Sequence, residues 1–334
     1  MNDSRNDIRI ALPSKGPLAA DSLKLLTEVG LQVYKPNPRQ YEAIIPKLPG
    51  VSVLFQRAGD IVYSVRDGSV DFGITGWDVV NERCPQNNTV ITLLQELGYG
   101  HCSLNVIVPE NWDSVHRMSD LKESQLSKSY PLRVATKFPY LTSNFFKDHN
   151  LEDIHLIEAE GTLEIAPTIG YADVIVDLVS TGTTLRDNRL KILQDGQILA
   201  SQACLIANRT ALKTHPEVSR IARYLLEFLV AYLRASENLA IFANIRGASP
   251  EEIASQMFTK EVISGLQGPT ISPLITRQAE PWHAVHLIVQ KDQLAQAIEE
   301  LREIGGSGVV VTPVTYIFEE EPLAYQEMLA ALEE

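Results

Sequence analysis

A chain of 334 residues exceeds what one hydrophobic core organises, and 45% hydrophobic with 21% charged residues describes a globular protein, excluding a disordered or fibrous one. A net charge of −13 repels a phosphate backbone over most of the surface, so the sequence predicts no nucleic-acid partner and requires any anionic ligand to be captured by local groups. Three widely spaced cysteines, Cys84, Cys102 and Cys204, predict a reducing, cytoplasmic setting in place of a disulfide framework.

The polar opening MNDSRND has no apolar signal core, and the longest apolar stretch, Tyr224 to Leu233, contains Glu227, which predicts no membrane span. Beyond the opening, short β-branched runs alternate with amphipathic segments: IRIAL, a helix over Asp21–Val29, VSVLF, Asp60–Val65, DFGIT and Trp77–Arg83. The rhythm continues through VITLL, SLNVIV, LRVAT, a helix over Leu141–His149, HLIEAE, a helix over Leu163–Tyr171 and the run DVIVDLV. About the first 215 residues therefore read as one α/β region of two lobes with a double crossover. The segmentation expected is residues 1–105 completed by 188–234 as a first lobe, and 106–187 as a second.

His215 to Arg234 reads as a long helix with apolar residues at Val218, Ile221, Leu225, Leu229 and Leu233. Residues 235–334 then follow the order β-α-β-β-α-β, the ferredoxin-like plan, with a further helix over Leu323–Leu332. Ser249 as N-cap, Pro250 at the first helical position and Glu252 three residues after the cap mark one helix start. The seven histidines pair with no cysteine or carboxylate at metal-ligand spacing, and His283 and His286, three apart in a strand-like run, should point to opposite faces, so no structural zinc is expected.

The segment Ala172 to Arg186 is the most informative. A nearly continuous apolar run, typical of a strand buried on both faces, ends in Ser180-Thr181-Gly182-Thr183-Thr184 before a helix-compatible segment. Gly182 allows the backbone to turn and expose its N–H groups, and the four hydroxyls and a helix N-terminus complete a seat for a phosphate monoester. On spacing alone, a turn with a threonine cap reads equally well. No G-x-x-x-x-G-K-[ST] occurs, and no G-x-G-x-x-G follows a strand, which excludes Walker-type and Rossmann nucleotide binding.

Taken together, IALPSKG, LFQRAGDI, DFGITGWD, LGYGHCSLNVIVP, VATKFPYLT, IVDLVSTGTTLR and GPTISPL resemble the ATP phosphoribosyltransferases, in the long form that carries a C-terminal regulatory domain. The resemblance spans nearly the whole chain. It implies a two-lobed catalytic region like that of periplasmic binding proteins, and a Mg²⁺-dependent attack of ATP N1 on C1′ of phosphoribosyl pyrophosphate that releases pyrophosphate. It also implies a hexamer inhibited by histidine.

That chemistry passes through an oxocarbenium-like state and asks for a held ribose, a neutralised leaving group and an aligned adenine, with no covalent nucleophile. Asp177 is then the candidate for the ribose hydroxyls or a Mg²⁺-bound water, or else a strand-end cap, and Glu164 is a second ribose candidate or a first-turn carboxylate. Lys15 and Gly16 open a helix after the first strand and Arg57 follows another strand, so both loops are candidates for the pyrophosphate, or else Lys15 is a surface lysine in a turn and Arg57 a surface salt-bridge partner. The family's usual KGRL is Lys15-Gly16-Pro17-Leu18 here, which removes an arginine. Thr75 and Gly76 are expected to line the cleft, Trp77 to stack adenine or fill core, and Phe138 and Tyr140 to pack. No individual Mg²⁺ ligand is assigned. In the C-terminal domain Asn244, Leu266, Thr270 and Gly308 match the family's histidine contacts, with Asn244 standing where some members have aspartate; the alternative is a set of turn residues in a sheet used for assembly.

Overall fold

A computed structural model describes residues 7–37, 40–85, 88–126, 130–159, 161–266, 268–276 and 281–333. Of these, the residues up to Ala222 and from Glu327 onward pack as one compact unit, and Arg223 to Gln326 form a second. Among the described residues no helix is long and apolar enough to cross a membrane, and no cluster of three His, Cys, Asp or Glu side chains is placed to hold a metal ion. All three cysteines are free thiols.

The first unit opens with β1 (Ile8–Pro13), α1 (Pro17–Glu28), β2 (Glu42–Ile44), β3 (Val51–Gln56), α2 (Ala58–Arg66), β4 (Phe72–Gly76), α3 (Trp77–Arg83) and β5 (Val90–Leu94). It continues with β6 (Cys102–Pro109), α4 (Met118–Leu126), β7 (Leu132–Thr136), α5 (Pro139–Asp148), β8 (Ile154–Glu158), β9 (Val174–Val179), α6 (Thr183–Asp187), β10 (Leu190–Ser201), β11 (Ala203–Asn208) and α7 (Arg209–Thr214). Two sheets result, ordered β2-β3-β1-β4-β11-β5 and β10-β6-β9-β7-β8. Parallel neighbours such as β1 with β3 and β7 with β9 have helices in their crossovers, and their inner strands are apolar almost throughout because both faces are covered.

The chain passes between the sheets twice, around Leu97–Cys102 and around Ser201–Ala203. These crossings are bonded to each other, since Leu97 N–H donates to the Ala203 carbonyl (3.0 Å) and Ala203 N–H to the Tyr99 carbonyl (3.0 Å). This is the two-lobed, doubly connected plan expected.

The lobe boundaries differ from the expected segmentation. Strand β10 pairs antiparallel with β6 from Leu190↔Pro109 to Ser201↔Cys102, so residues 190–201 and 102–105 belong to the second sheet, and only β11 returns to the first. The expected 188–234 completion of the first lobe is thus corrected to a return at Ala203. Strand β10 alternates poorly and breaks register between Ile192 and Leu199, which hid it from a period-2 reading. The compact units divide at Ala222/Arg223, inside α8 (Pro216–Ser236), and the residues from Glu327 go with the first unit; the expected division was 235–334. The helix expected over Leu163–Tyr171 is a single 3-10 turn, Leu163–Ile165, followed by turns. Pro167 removes an N–H, Gly170 is left-handed (φ 71°), and Thr162 before the turn is also left-handed (φ 50°).

The second unit carries β12 (Asn238–Arg246), α9 (Pro250–Met257), β13 (Thr270–Pro273), β14 (Trp282–Gln290), α10 (Leu294–Glu303) and β15 (Gly306–Pro313), and the last helix of the chain is α11 (Leu323–Glu333). The sheet is antiparallel in the order β13-β14-β12-β15, which is the ferredoxin-like arrangement. Ile241, Ala243 and Ile245 alternate into the core with Val285, Leu287 and Val289 against Ile253, Met257, Ala297 and Leu301. At the start of α9 the Ser249 side chain accepts from Glu252 N–H (3.3 Å) and the Glu252 carboxylate accepts from Ala248 N–H (2.8 Å), a reciprocal cap. His283 is buried while His286 stacks on Phe242 (4.4 Å between ring centroids) on the opposite face.

Candidate active site

In the first sheet β1, β3 and β4 run parallel, so Pro13, Gln56 and Gly76 end at one edge and the loops that follow meet there. Ser14 N–H donates to the Gln56 carbonyl (2.7 Å), which ties the Lys15 loop to the Arg57 loop. Gly16 has φ 77° and ψ −177°, a conformation essentially confined to glycine, and Pro17 takes the first position of α1, where a missing N–H is harmless. The proline therefore suits the helix start while offering no charge. The Lys15 and Arg57 side chains are exposed, and neither enters an ion pair among the described residues.

Thr75 and Gly76 each have a packing partner. Thr75 is fully buried and its hydroxyl donates to the Ala58 carbonyl (3.0 Å), which fastens β4 to the first turn of α2 beside Arg57. A Cβ on Gly76 would lie 2.3 Å from Asp78 Oδ1, so the glycine leaves room for a buried carboxylate that accepts from the Ser201 hydroxyl (2.6 Å). Burial pushes the Asp78 carboxyl upward from its ordinary pKa, and the Ser201 bond opposes that shift. Trp77 packs against the core cluster of Ile61, Val62, Val65 and Val80, which is its packing reading.

In the second sheet β7, β8 and β9 are parallel and end at one edge, with the antiparallel β6 beginning there. Thr136 is level with Val176, so the next residues, Lys137 and Asp177, come side by side at the strand exits. On the other flank Asp177 is level with the buried Asn105. Burial raises the Asp177 carboxyl above its ordinary pKa; the Leu178 N–H bond and the Lys137 charge draw it down, and the Glu164 charge raises it further. Asp177, Lys137 and Glu164 thus form one electrostatic group.

The phosphate-seat loop follows directly. Gly182 is left-handed (φ 69°, ψ 7°) and precedes α6, as a turn exposing its N–H groups requires. Ser180, Thr181, Thr183 and Thr184 are all exposed. The Thr181 and Thr183 hydroxyls are 3.2 Å apart, and Arg186 Nη2 donates to Thr183 Oγ1 (3.3 Å), which brings a guanidinium against the loop. Two cations, Lys137 and Arg186, join the site without having been singled out in the sequence. Arg186 had a detectable signal, lying one helical turn from Gly182; Lys137 depends on the β7–β9 register and had none. Phe138 is in the second lobe's core, as expected, while Tyr140 is partly exposed.

In the second unit Asn244 and Gly308 come together, because a Cβ on Gly308 would be 3.3 Å from Asn244 Nδ2. Thr270 is level with His286, which is level with Phe242, so it lies two strands from β12. Leu266 is exposed in the segment before β13.

Comparison with known proteins also separates a C-terminal part, which begins at the expected residue 235 and not at the Ala222/Arg223 boundary of the compact units. The family described as ATP phosphoribosyltransferase matches residues 57–227, and the HisG C-terminal domain matches 235–316. ATP phosphoribosyltransferase 2, chloroplastic, of Arabidopsis thaliana is 43% identical over 98% of this chain and 81% of its own length. The ATP phosphoribosyltransferase of Rhodopseudomonas palustris is 33% identical over 97% of this chain and 98% of its own. Among solved structures, an ATP phosphoribosyl transferase (HisG:HisZ) complex from Thermotoga maritima covers 67% of this chain and 98% of the matched chain, with a TM-score of 0.53 at 22% identity, a likeness of fold.

Proposed function

The chain belongs to the ATP phosphoribosyltransferase family, pentosyltransferases of the first step of histidine biosynthesis, and on that premise we propose that its reaction runs between the two strand-end edges just described. One observation carries the reading. The edge with Ser180–Thr184, Asp177, Lys137 and Arg186 offers hydroxyls, N–H groups and cations beside a carboxylate, while the other edge offers Lys15, Gly16 and Arg57. The loop around Gly182 takes the 5′-phosphate of phosphoribosyl pyrophosphate, and Asp177 with Glu164 holds the ribose hydroxyls. Lys15, Gly16 and Arg57 meet the pyrophosphate. As the bond from ATP N1 to C1′ forms, the bond from C1′ to pyrophosphate breaks and its electron pair leaves with the pyrophosphate. The cations lower the cost of that departing charge.

Mg²⁺ is usually bound by one or two carboxylates together with substrate phosphates, not by a cage of protein ligands. Asp177, whose carboxyl the Glu164 charge helps to raise, and Glu164 beside it fit such a role and would hold the ion. When bound, Mg²⁺ supplies neutralising charge to the pyrophosphate. In the second unit the Asn244–Gly308 contact, with Thr270 two strands away, supports a histidine site, and hexameric assembly and a cytoplasmic location belong to the same reading.

Release of pyrophosphate from ATP plus phosphoribosyl pyrophosphate tests the reaction, and Asp177→Ala and Thr184→Ala test the site. Losses of about 10²-fold or more in kcat/KM for Asp177→Ala are expected. Near-wild-type kcat/KM for both variants would remove the loop from the mechanism. Calorimetry with histidine tests the second unit; the absence of both heat and inhibition would sink the regulatory reading.

A further inference from the structure

Helix α5 begins without an acceptor of its own. Pro139 occupies its first position, Phe138 before it provides no side-chain cap, and its first turn carries no acidic residue. The N–H groups of Tyr140 and Leu141 therefore belong to the donors that every helix start leaves unpaired. Both are satisfied from the other lobe: Tyr140 N–H donates to Glu82 Oε1 (2.9 Å) and Leu141 N–H to Glu82 Oε2 (3.0 Å). A carboxylate there is favoured by charge-assisted hydrogen bonds and by the helix dipole together. Burial raises the Glu82 pKa, and the Leu141 and Tyr140 bonds oppose that rise.

Glu82 lies near the end of α3, and the start of α3 is fixed to the crossings. Trp77 N–H donates to the Gln202 carbonyl (2.9 Å), Asp78 N–H to Ser201 Oγ (2.9 Å), and Ser201 Oγ to Asp78 Oδ1 (2.6 Å). A helix of this length, about 10 Å at 1.5 Å per residue, is a strut from the crossings to the second lobe. At the far end there is little slack. Lys137 precedes α5 by two residues, and the intervening Phe138 is buried in the core with its N–H on Thr136 Oγ1 (2.9 Å).

We propose that Glu82 is a positioning residue for the transfer reaction: by capping α5 from the opposite lobe, it sets the separation between the Lys15–Arg57 edge and the Lys137–Asp177 edge. This rests on the two-edged site of the preceding section. Glu82 meets neither substrate nor reacting atoms and acts through α5. Each lobe keeps its own ligand groups without it, so its removal spares the binding of ribose 5-phosphate, which meets the second-lobe edge alone, and impairs alignment of phosphoribosyl pyrophosphate, which spans both edges, with ATP.

The test uses Glu82→Ala and Glu82→Gln in the full chain, with Lys137→Ala and Asp177→Ala alongside. Misplacement by about 1 Å costs up to roughly 10²-fold, so kcat of Glu82→Ala should fall on the order of 10- to 100-fold, while the Kd of ribose 5-phosphate, which reaches the second-lobe edge alone, stays within about twofold. Glu82→Gln retains a carbonyl acceptor and should recover part of kcat. A folded Glu82→Ala with wild-type kcat, or with kcat and Kd lost together, would overturn the proposal. If Glu82→Ala does not fold, Glu82→Gln decides, since full kcat or an equal loss of affinity there has the same meaning. Full activity in Lys137→Ala and Asp177→Ala instead brings down the site reading itself; their loss beside an unaffected Glu82→Ala brings down this inference alone.

Discussion

Gly76→Ala probes the base of α3. The backbone of Gly76 (φ −79°, ψ 140°) is open to any residue, so alanine meets no conformational penalty and its effect is steric. Its Cβ would sit 2.3 Å from Asp78 Oδ1, whose residue is only 4% exposed and accepts from Ser201 at 2.6 Å. Driven from that bond inside the protein, a carboxylate loses about 1–3 kcal/mol or more as an unsatisfied buried acceptor. We expect about 2–3 kcal/mol, or a fall in Tm of roughly 4–12 °C at about 2–4 °C per kcal/mol for a unit of this size. Chemical and thermal unfolding measure it. In an Asp78→Ala background the clash has no target, and the same substitution should cost less than about 0.5 kcal/mol. Equal costs in the two backgrounds would refute the reasoning.

The pH dependence of the same carboxylate has a fixed sign. Its folded-state pKa is raised, so its contribution to stability is full below the unfolded value of about 3.9 and is lost as pH rises through the folded one. Relative to Asp78→Asn, the wild type should lose stability from about pH 4 upward; a flat difference up to pH 7 would contradict this. Gly182→Ala meets nothing nearer than 3.9 Å, so its cost is the left-handed backbone, about 1 kcal/mol, and phosphoribosyl pyrophosphate should bind about 5–10-fold more weakly by calorimetry. Thr75→Val removes the bond to Ala58 and should lower stability by about 1 kcal/mol; a large KM increase with unchanged Tm would instead make Thr75 a ligand contact. At Glu300 burial pushes the carboxyl up, but the N–H bonds of Val262 (3.0 Å) and Ile263 (3.1 Å), with those of the Gln296 side chain and the Glu261 backbone, together outweigh it and the pKa is lowered. Its contribution is present above the ordinary glutamate range and lost as pH falls through the lower folded value, so the wild type should lose more stability than Glu300→Gln below about pH 4 in urea titrations.

Much of the fold was legible because local signals agreed with the final packing. The apolar runs of β1, β3, β4 and β9 are short, β-branched and bounded by turn residues, and they became buried parallel strands. The Ser249 cap and the β-α-β-β-α-β order likewise needed no tertiary information. Strand β10 was not legible. Its middle, Gln194-Asp195-Gly196, reads as a turn, and what makes Leu190–Ser201 a single strand is its pairing with β6. The helix misread over Leu163–Tyr171 had the right periodicity, but Pro167 and Gly170 outweighed it.

The candidate site divides along the same line. Asp177 and Ser180–Thr184 sit on contiguous sequence, where one strand end and one glycine turn contain the candidate groups, so the residues could be read in order. Lys137 and Glu82 could not. Lys137 gains its meaning from Thr136 being level with Val176; a slip of one residue in that register would place another side chain beside Asp177. Glu82 reads as a surface glutamate in a short helix until the donors of α5, 58 positions away, are seen to have no other partner among the described residues. At Thr75 and Gly76 packing adds what the sequence does not show: the Ala58 carbonyl accepts from the Thr75 hydroxyl, and the Asp78 carboxylate fills the space beside Gly76. Position at a strand end follows from sequence, but availability to a ligand depends on which neighbours have already satisfied the group, and that is decided only by packing.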